Sequence, residues 1–282
     1  MSESQPTVLV LGATGKTGSR VVSNLRSRAI AVRTAARSGA DVAFDWSGRG
    51  TYAPALEAVT RVYLVAPVLR TDFAADVSSF LDEAESAGVE HVTFLSAYGM
   101  EHAPEQIATR AVELDLIKRN RLTHTILRPA WFMQNFSETF LKPTNGAIVV
   151  PTGEGAEAFI DVEDVSAVAA TTLTAPAAHA RAAYSLTGPQ ALTVAEAAAI
   201  ISEASGHPLS HQDLDRETWV AGVLAMGVPV EYGAVLRQLT ETIASGNGAR
   251  PNDTVEKITG NPARTFRDFT HANAAAWSES PK

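Results

Sequence analysis

The sequence predicts an α/β fold: a parallel sheet with helices on both faces, followed by a smaller, mostly helical C-terminal lobe. Three observations carry this. Up to about residue 130, short apolar runs alternate with segments of helical period. The first apolar run passes directly into a glycine-rich turn and then a helix. Beyond that point the alternation breaks into turns and alanine-rich helical stretches.

Taken in order, the apolar runs at 8–11, 29–35, 42–44, 62–65, 92–96 and 125–128 read as strands, and 17–26, 73–87 and 107–120 as helices between them. Short apolar strands joined through helices imply right-handed crossovers and a parallel sheet. Ser86-Ala87-Gly88-Val89 has the form of a helix C-terminus running into a strand. After residue 130, Asn145-Gly146 and Gly153 to Gly155 mark turns, and Thr193-Val194-Ala195-Glu196 is a capping box opening a helix. The expected division is a sheet domain over 1–130 and a smaller lobe over 131–282, with segments near 146–190 able to return to the sheet.

Composition narrows the classes. With 31 acidic against 23 basic residues the formal charge is −8, which argues against a nucleic-acid binder, since neutralising phosphates needs a basic face. There is no cysteine, which removes disulfides, thiolate metal sites and a cysteine nucleophile. The seven histidines show no metal-ligand spacing, so no metal is expected. No apolar run reaches the roughly 20 residues that span a bilayer, and the start is short and polar without a secretory pattern. The expectation is a cytoplasmic protein, monomer or homodimer, acting on a small molecule, with neither nucleic acid nor membrane as partner.

The turn Gly12-Ala13-Thr14-Gly15-Lys16-Thr17-Gly18 sits between the first strand and its helix. Glycine is needed there for a tight turn, for close backbone approach to a pyrophosphate, and for helix–strand packing, while the helix N-terminus offers free N–H groups to phosphate. The spacing GxxGxxG in that context predicts a Rossmann-type dinucleotide site. Gly15-Lys16-Thr17 echoes a nucleotide-triphosphate loop, but only two residues separate Gly12 from Gly15 where that loop needs four. At the end of the second strand, where NAD binders usually carry an acid, the chain reads Ala36-Arg37-Ser38-Gly39, with no acid until Asp41. Arg37 and Ser38, supported by Arg33, suit a 2′-phosphate, so the expected cofactor is NADP(H).

These motifs resemble the NmrA-like, atypical short-chain dehydrogenase/reductase family over nearly the whole chain. The resemblance rests on residues 10–18, on Phe44-Asp45-Trp46, Tyr63-Leu64-Val65-Ala66-Pro67 and Phe94-Leu95-Ser96-Ala97-Tyr98-Gly99. It continues through Thr125-Ile126-Leu127-Arg128-Pro129, residues 159–165 and Leu186-Thr187-Gly188-Pro189. Gly15-Lys16-Thr17-Gly18 with Phe44-Asp45-Trp46 is similar to the branch of festuclavine and agroclavine dehydrogenases, which reduce a C=N bond; other members are quinone reductases, and others bind the dinucleotide as regulators. The resemblance implies that Asp45 and Trp46 lie beside the adenine, Ala66 and Pro67 beside the nicotinamide-side ribose and diphosphate, Ser96, Ala97 and Tyr98 under the nicotinamide, and Pro129 to Phe132 on its far side.

The catalytic pair Tyr-x-x-x-Lys of typical short-chain dehydrogenases is absent, because Tyr98 is followed four residues later by His102. The helical position where some relatives carry a lysine falls near Arg110, which keeps its proton. Tyr98 is therefore the candidate proton donor or, equally, a ring packed on the cofactor; His102 is a candidate relay or a solvated loop side chain. Reduction of an iminium needs no acid at all. Trp131, Phe132, Met133 and Phe136 cluster after the sixth strand and, with Tyr98, read as an apolar, aromatic substrate pocket or else as core. Asp161 and Asp164 read as caps of the following helix. Two functions follow: an NADPH-dependent reductase of a small, largely apolar C=N, C=O or quinone substrate, or a non-catalytic NADP(H)-binding redox sensor.

Overall fold

The computed structural model describes residues 7–139 and 141–277. The chain opens β1 (Thr7–Leu11), α1 (Gly18–Ser27), β2 (Ala31–Ala36), β3 (Val42–Ala43), α2 (Tyr52–Leu56), β4 (Arg61–Val65), α3 (Ala74–Ala87), β5 (His91–Leu95), α4 (Ala108–Lys118) and β6 (Thr123–Pro129). It continues through α5 (Asn135–Glu138), β7 (Ala147–Val149) and β8 (Ala156–Glu157), then α6 (Val162–Thr174), α7 (Pro176–His179) and β9 (Ala182–Leu186). It ends with β10 (Leu192–Thr193), α8 (Val194–Ser205), β11 (Ser210–Gln212), α9 (Arg216–Ala225), α10 (Gly233–Ala244), α11 (Thr254–Thr259) and α12 (Phe266–Ala272). The chain divides into two units: residues to Pro129 with Val162–Ser185, and Ala130–Asp161 with Leu186 onward. Within that first unit, β9 lies at the edge of the sheet.

The first unit holds a seven-stranded sheet in the order β3-β2-β1-β4-β5-β6-β9. The pairs β1–β2, β1–β4, β2–β3, β4–β5 and β5–β6 are all parallel. Both faces are covered, which is why the strands read as continuous apolar runs rather than alternating ones: Leu9, Leu11, Val62, Leu64, Val92, Phe94 and Ile126 are buried together with Phe80 and Leu81 of α3 and Val112 and Leu116 of α4. On α1 the buried face is Val21, Val22 and Leu25, one stripe of a 3.6-residue period. Alanine-rich α6 lies close to α1, with Arg20 Nε 2.8 Å from Glu163 Oε1 and Asn24 Nδ2 2.9 Å from Ser166 Oγ. Gly88 closes α3 in the left-handed conformation (φ 87°), as the Ala87-Gly88 signal predicts. The chain runs outward from β1 to β2 and β3, then returns on the other side of β1 as β4. That reversal is the topological switch point, and ligands of such sheets bind beyond its carboxyl ends.

The second unit is mostly helical around an aromatic core. Phe136 packs edge-on against Phe159 at 5.0 Å and Phe266 at 5.1 Å between ring centres. Val194, Ala197, Ala198 and Ile201 of α8 and Trp219, Val220 and Val223 of α9 are buried in the same cluster. The capping box at Thr193 forms as the sequence predicts, the Thr193 hydroxyl accepting from the Glu196 amide while Glu196 reaches back to the Thr193 amide. Among the described residues no helix is long and apolar enough to cross a membrane.

Two buried titratable groups act on stability in opposite senses. His91, with no exposed surface, has Nδ1 2.9 Å from Thr123 Oγ1 and Nε2 3.1 Å from Thr125 Oγ1. Burial pushes its pKa from 6.5 down to about 4, so the unfolded chain gains a proton first and stability falls as pH drops from 6.5 towards 4. Glu157, on β8, is 1% exposed; its Oε1 lies 3.5 Å from the Trp131 amide, and a Cβ at Gly248 would collide with its carboxyl. Burial pushes its pKa from 4.5 up to about 7, so the folded state prefers the proton and stability falls as pH rises from 4.5 towards 7. At about 1.4 kcal/mol per pKa unit, each swing is about 3 kcal/mol. Glu157→Gln, which carries no charge to bury, is therefore expected to stabilise the protein by about 2–3 kcal/mol at pH 8 and to leave it nearly unchanged at pH 5. Urea unfolding at the two pH values checks this, and a gain of equal size at both would contradict it.

Candidate dinucleotide and active site

The loop after β1 is shaped by its glycines. Gly12 takes φ +62°, a conformation that L side chains rarely adopt, and the Gly15 amide donates to its carbonyl at 2.8 Å. Gly18 opens α1 directly against that same peptide: a Cβ there would collide with the carbonyl group of Gly12 and approach Ala13. The Ala13 amide donates to Ala35 of β2 at 3.2 Å, and Thr14 lies beside Gly39 of the loop after β2. Gly12, Thr14 and Gly15 are exposed, Lys16 is half-buried, and Thr17 and Gly18 are buried. A helix N-terminus approached by a side-chain-free backbone fits a pyrophosphate.

Arg37 and Ser38 follow β2 and are exposed. Arg33 is not with them. Its guanidinium donates to the Pro54 carbonyl at 2.8 Å and lies 3.8 Å from Glu57, so the support expected from it is directed elsewhere. Asp41, the first acid after the strand, is committed to Thr34: it accepts from the Thr34 amide at 2.9 Å and the Thr34 hydroxyl at 2.8 Å, and those bonds hold its pKa below the usual carboxylate value. Asp45 is exposed and accepts the Ser47 amide at 2.9 Å. Trp46 is half-buried, its ring edge-on to Phe44 at 5.0 Å and its carbonyl taking the Tyr52 hydroxyl at 2.7 Å. Ala66 and Pro67, both half-buried, follow β4.

The β5 and β6 ends carry a buried charge cluster. Backbone pairing continues past β5, the Ser96 amide donating to Leu127 at 2.8 Å and the Tyr98 amide to Pro129 at 2.9 Å. The Ser96 hydroxyl donates to Glu113 Oε1 at 2.6 Å. Arg128 grips the same carboxylate through Nε and Nη2, each at 2.8 Å, and Arg110 Nη1 reaches it at 2.7 Å. Burial pushes the Glu113 pKa up, but the bonds from Arg128, Ser96 and Arg110 outweigh it and hold the group below its ordinary value. Arg110 thus serves as an ion-pair partner of Glu113 near the helical position where some relatives carry a lysine. Ala97 and Tyr98 are half-buried, while His102 ends a 3-10 turn (Met100–His102) and is exposed, the setting of a solvated loop side chain.

In the second unit, Trp131 and Phe132 are half-buried, and the Ile160 amide donates to Trp131 at 2.9 Å. Met133 and Phe136 are both buried in the core of this unit, the Phe136 amide donating to the Met133 carbonyl at 3.0 Å. Asp161, immediately before α6, accepts the Gln134 side-chain amide at 2.7 Å. Among the described residues no cluster of His, Asp or Glu could hold a metal. Sequence reasoning missed Glu113 and Glu157, and it met Arg128 only as part of a motif. The available signal was an acid set among the apolar positions Val112 and Leu116 of a helix, which has to find cations.

Residues 12–176 match the family described as NAD(P)H-binding. The chain is 36% identical to the oxidoreductase YesF of Bacillus subtilis, over 97% of each chain. It is 32% identical to the NAD(P)H azoreductase of Xenophilus azovorans (96% of this chain, 99% of that one). The agroclavine dehydrogenase of Claviceps fusiformis is 30% identical (96% and 98%). Among solved structures, the Citrobacter triphenylmethane reductase complexed with NADP(H) superposes with TM-score 0.76 at 22% identity (95% and 99%). NmrA, a negative transcriptional regulator in complex with NAD, does so with 0.75 at 14% (98% and 97%).

Arg37→Ala is expected to weaken NADPH binding by about 1–3 kcal/mol and to spare NADH, the loss of a charged hydrogen bond to phosphate. Fluorescence titration with both nucleotides measures it; equal losses would contradict the assignment.

Proposed function

We propose NADPH-dependent reduction of a small, largely apolar C=N, C=O or quinone substrate as the activity of this chain, which belongs to the NAD(P)H-binding family of oxidoreductases, in its NmrA-like, atypical short-chain dehydrogenase/reductase branch. The observation that carries the nucleotide choice is the pairing of exposed Arg37 and Ser38 with an Asp41 carboxylate already bonded to Thr34. An acid positioned to bond the ribose would repel a 2′-phosphate; the exposed Asp41 carboxylate is instead held by the Thr34 amide and hydroxyl. The glycine cradle takes the pyrophosphate, and Gly12, Thr14, Gly15, Lys16, Thr17 and Gly18 are the residues that hold it. Asp45 and Trp46 border the adenine. Ala66, Pro67, Ser96, Ala97 and Pro129 border the nicotinamide half.

NADPH, when bound, supplies a hydride. The chain's own groups divide the remaining work. Ser96 has given its proton to the Glu113 hydrogen bond, and Arg110 stays charged in that same cluster, so neither is a proton source. Tyr98, two residues beyond Ser96, is the hydroxyl that meets an alkoxide or quinol oxygen as charge develops. An iminium carbon is already electrophilic and needs only orientation. Trp131 and Phe132, half-buried in the second unit, are that unit's candidate substrate-pocket residues.

The names of the relatives define the test panel: azo compounds, cyclic imines and quinones, with NADPH oxidation followed at steady state. Turnover of at least one class is expected. Tyr98→Phe is expected to lower kcat on ketones and quinones by about 10²-fold or more while leaving iminium turnover within about threefold. Loss on all classes alike would assign Tyr98 to packing instead. The second reading, a redox sensor, is favoured by the missing lysine and by Arg110 being held in an ion pair. No turnover on any class, together with different affinities for NADP+ and NADPH, would select it.

A further inference from the structure

Tyr98 lies on a short segment anchored at three points, and all three lead to one place on β6. Ser96, two residues before it, ends on Glu113 at 2.6 Å, and Glu113 is gripped by Arg128 through Nε and Nη2 at 2.8 Å each. Glu101, three residues after it, has Oε2 3.4 Å from the remaining terminal nitrogen, Arg128 Nη1. The Tyr98 amide itself donates to Pro129, the next residue along β6, at 2.9 Å. Two guanidinium nitrogens are thus hydrogen-bonded to Glu113 and the third lies in ion-pair range of Glu101, so the fork links the two ends of the Tyr98 segment.

The burial of this cluster is uneven in a telling way. The Glu113 side chain has no exposed surface and that of Arg128 only 11%, while Glu101 keeps 32%. With Arg110 included, two acids face two arginines, so the cluster is electrically balanced. Stability alone would be served as well by apolar residues of similar volume, since pairing buried charges roughly repays their desolvation. What an apolar replacement lacks is direction. A planar fork fixes the angle between Glu113 and Glu101, and so the path of residues 96–101 between them.

We propose that Arg128, acting with Glu113, is a positioning residue that sets the conformation of the 96–102 segment and thereby the placement of the Tyr98 hydroxyl. The kinetic part of this rests on the reading of Tyr98 as proton donor; the structural part does not. Lysine at 128 would keep the charge, but a single ammonium cannot grip both oxygens of Glu113 and reach Glu101 as well. Glutamine at 101 cuts only the outer tether, at a side chain one-third exposed, where folding is not at stake.

Hydrogen–deuterium exchange of peptides covering 96–103 tests the tethers without any substrate. In Arg128→Lys and Glu101→Gln those amides are expected to exchange about tenfold faster than in the parent, with peptides from β1 and α1 unchanged. On a quinone, kcat is expected to fall about tenfold in both variants, with the NADPH dissociation constant held within about twofold. Rescue of both readouts by lysine would reduce the role of Arg128 to its charge and overturn the proposal. Unchanged exchange in Glu101→Gln, the variant whose folding is safe, would also overturn it. Faster exchange at undiminished kcat would make the cluster a purely structural clamp and sink the positioning role. Full quinone turnover by Tyr98→Phe would remove the donor reading and with it the kinetic part, while the exchange comparison still judges the tethers.

Discussion

The contact on which the cofactor end of the sheet depends is the seating of Gly18 on the peptide of Gly12. No side chain fits between them, because a Cβ would enter the space of the Gly12 carbonyl. This close approach draws the first turn of α1 onto the end of β1 and aims its amides at the space beyond the strand. The reversal of strand order between β1 and β4 opens that space in the first place. Everything assigned to dinucleotide binding in the first unit is arranged around this point: Arg37 and Ser38 after β2, Ala66 and Pro67 after β4, Ser96 and Ala97 after β5. A local backbone constraint and a global topology thus converge on one edge of the sheet.

The other end of that edge is governed by charge. Putting the Glu113 carboxylate in the core costs several kcal/mol of lost hydration, and three hydrogen bonds from two guanidiniums with a fourth from the Ser96 hydroxyl offset it. Removing one partner would leave a buried charge uncompensated, at roughly 3–5 kcal/mol. The arrangement also has a chemical consequence. It commits the Ser96 hydroxyl and the Arg110 guanidinium to the Glu113 carboxylate.

How much of this was legible depended on whether the cause was local. The glycine turn was legible because steric need at three positions writes directly into the sequence, and the strands of the first unit because both-face burial makes them uniformly apolar. The α6–β9 return could be placed only as a broad segment. An alanine-rich helix looks alike wherever it packs, and what assigns it to α1 is long-range pairing such as Asn24 with Ser166. The run Trp131, Phe132, Met133, Phe136 reads as one apolar surface, yet Met133 and Phe136 are buried in the core while Trp131 and Phe132 are half-buried. Arg33 looked like a second phosphate ligand, but its side chain reaches across to the Pro54 carbonyl. Glu113 passes on a helix for a solvated acid until β6 brings Arg128 alongside it.

The central claim is that the β1–α1 cradle with Arg37 and Ser38 forms an NADP-specific site, and a crystal structure with NADP+ bound tests it most directly. The account predicts the pyrophosphate on the amides of the loop between Gly12 and Gly18, and the 2′-phosphate within hydrogen-bonding distance of Arg37 and Ser38. A nucleotide seated there with its 2′-phosphate turned to solvent, away from both side chains, would contradict it.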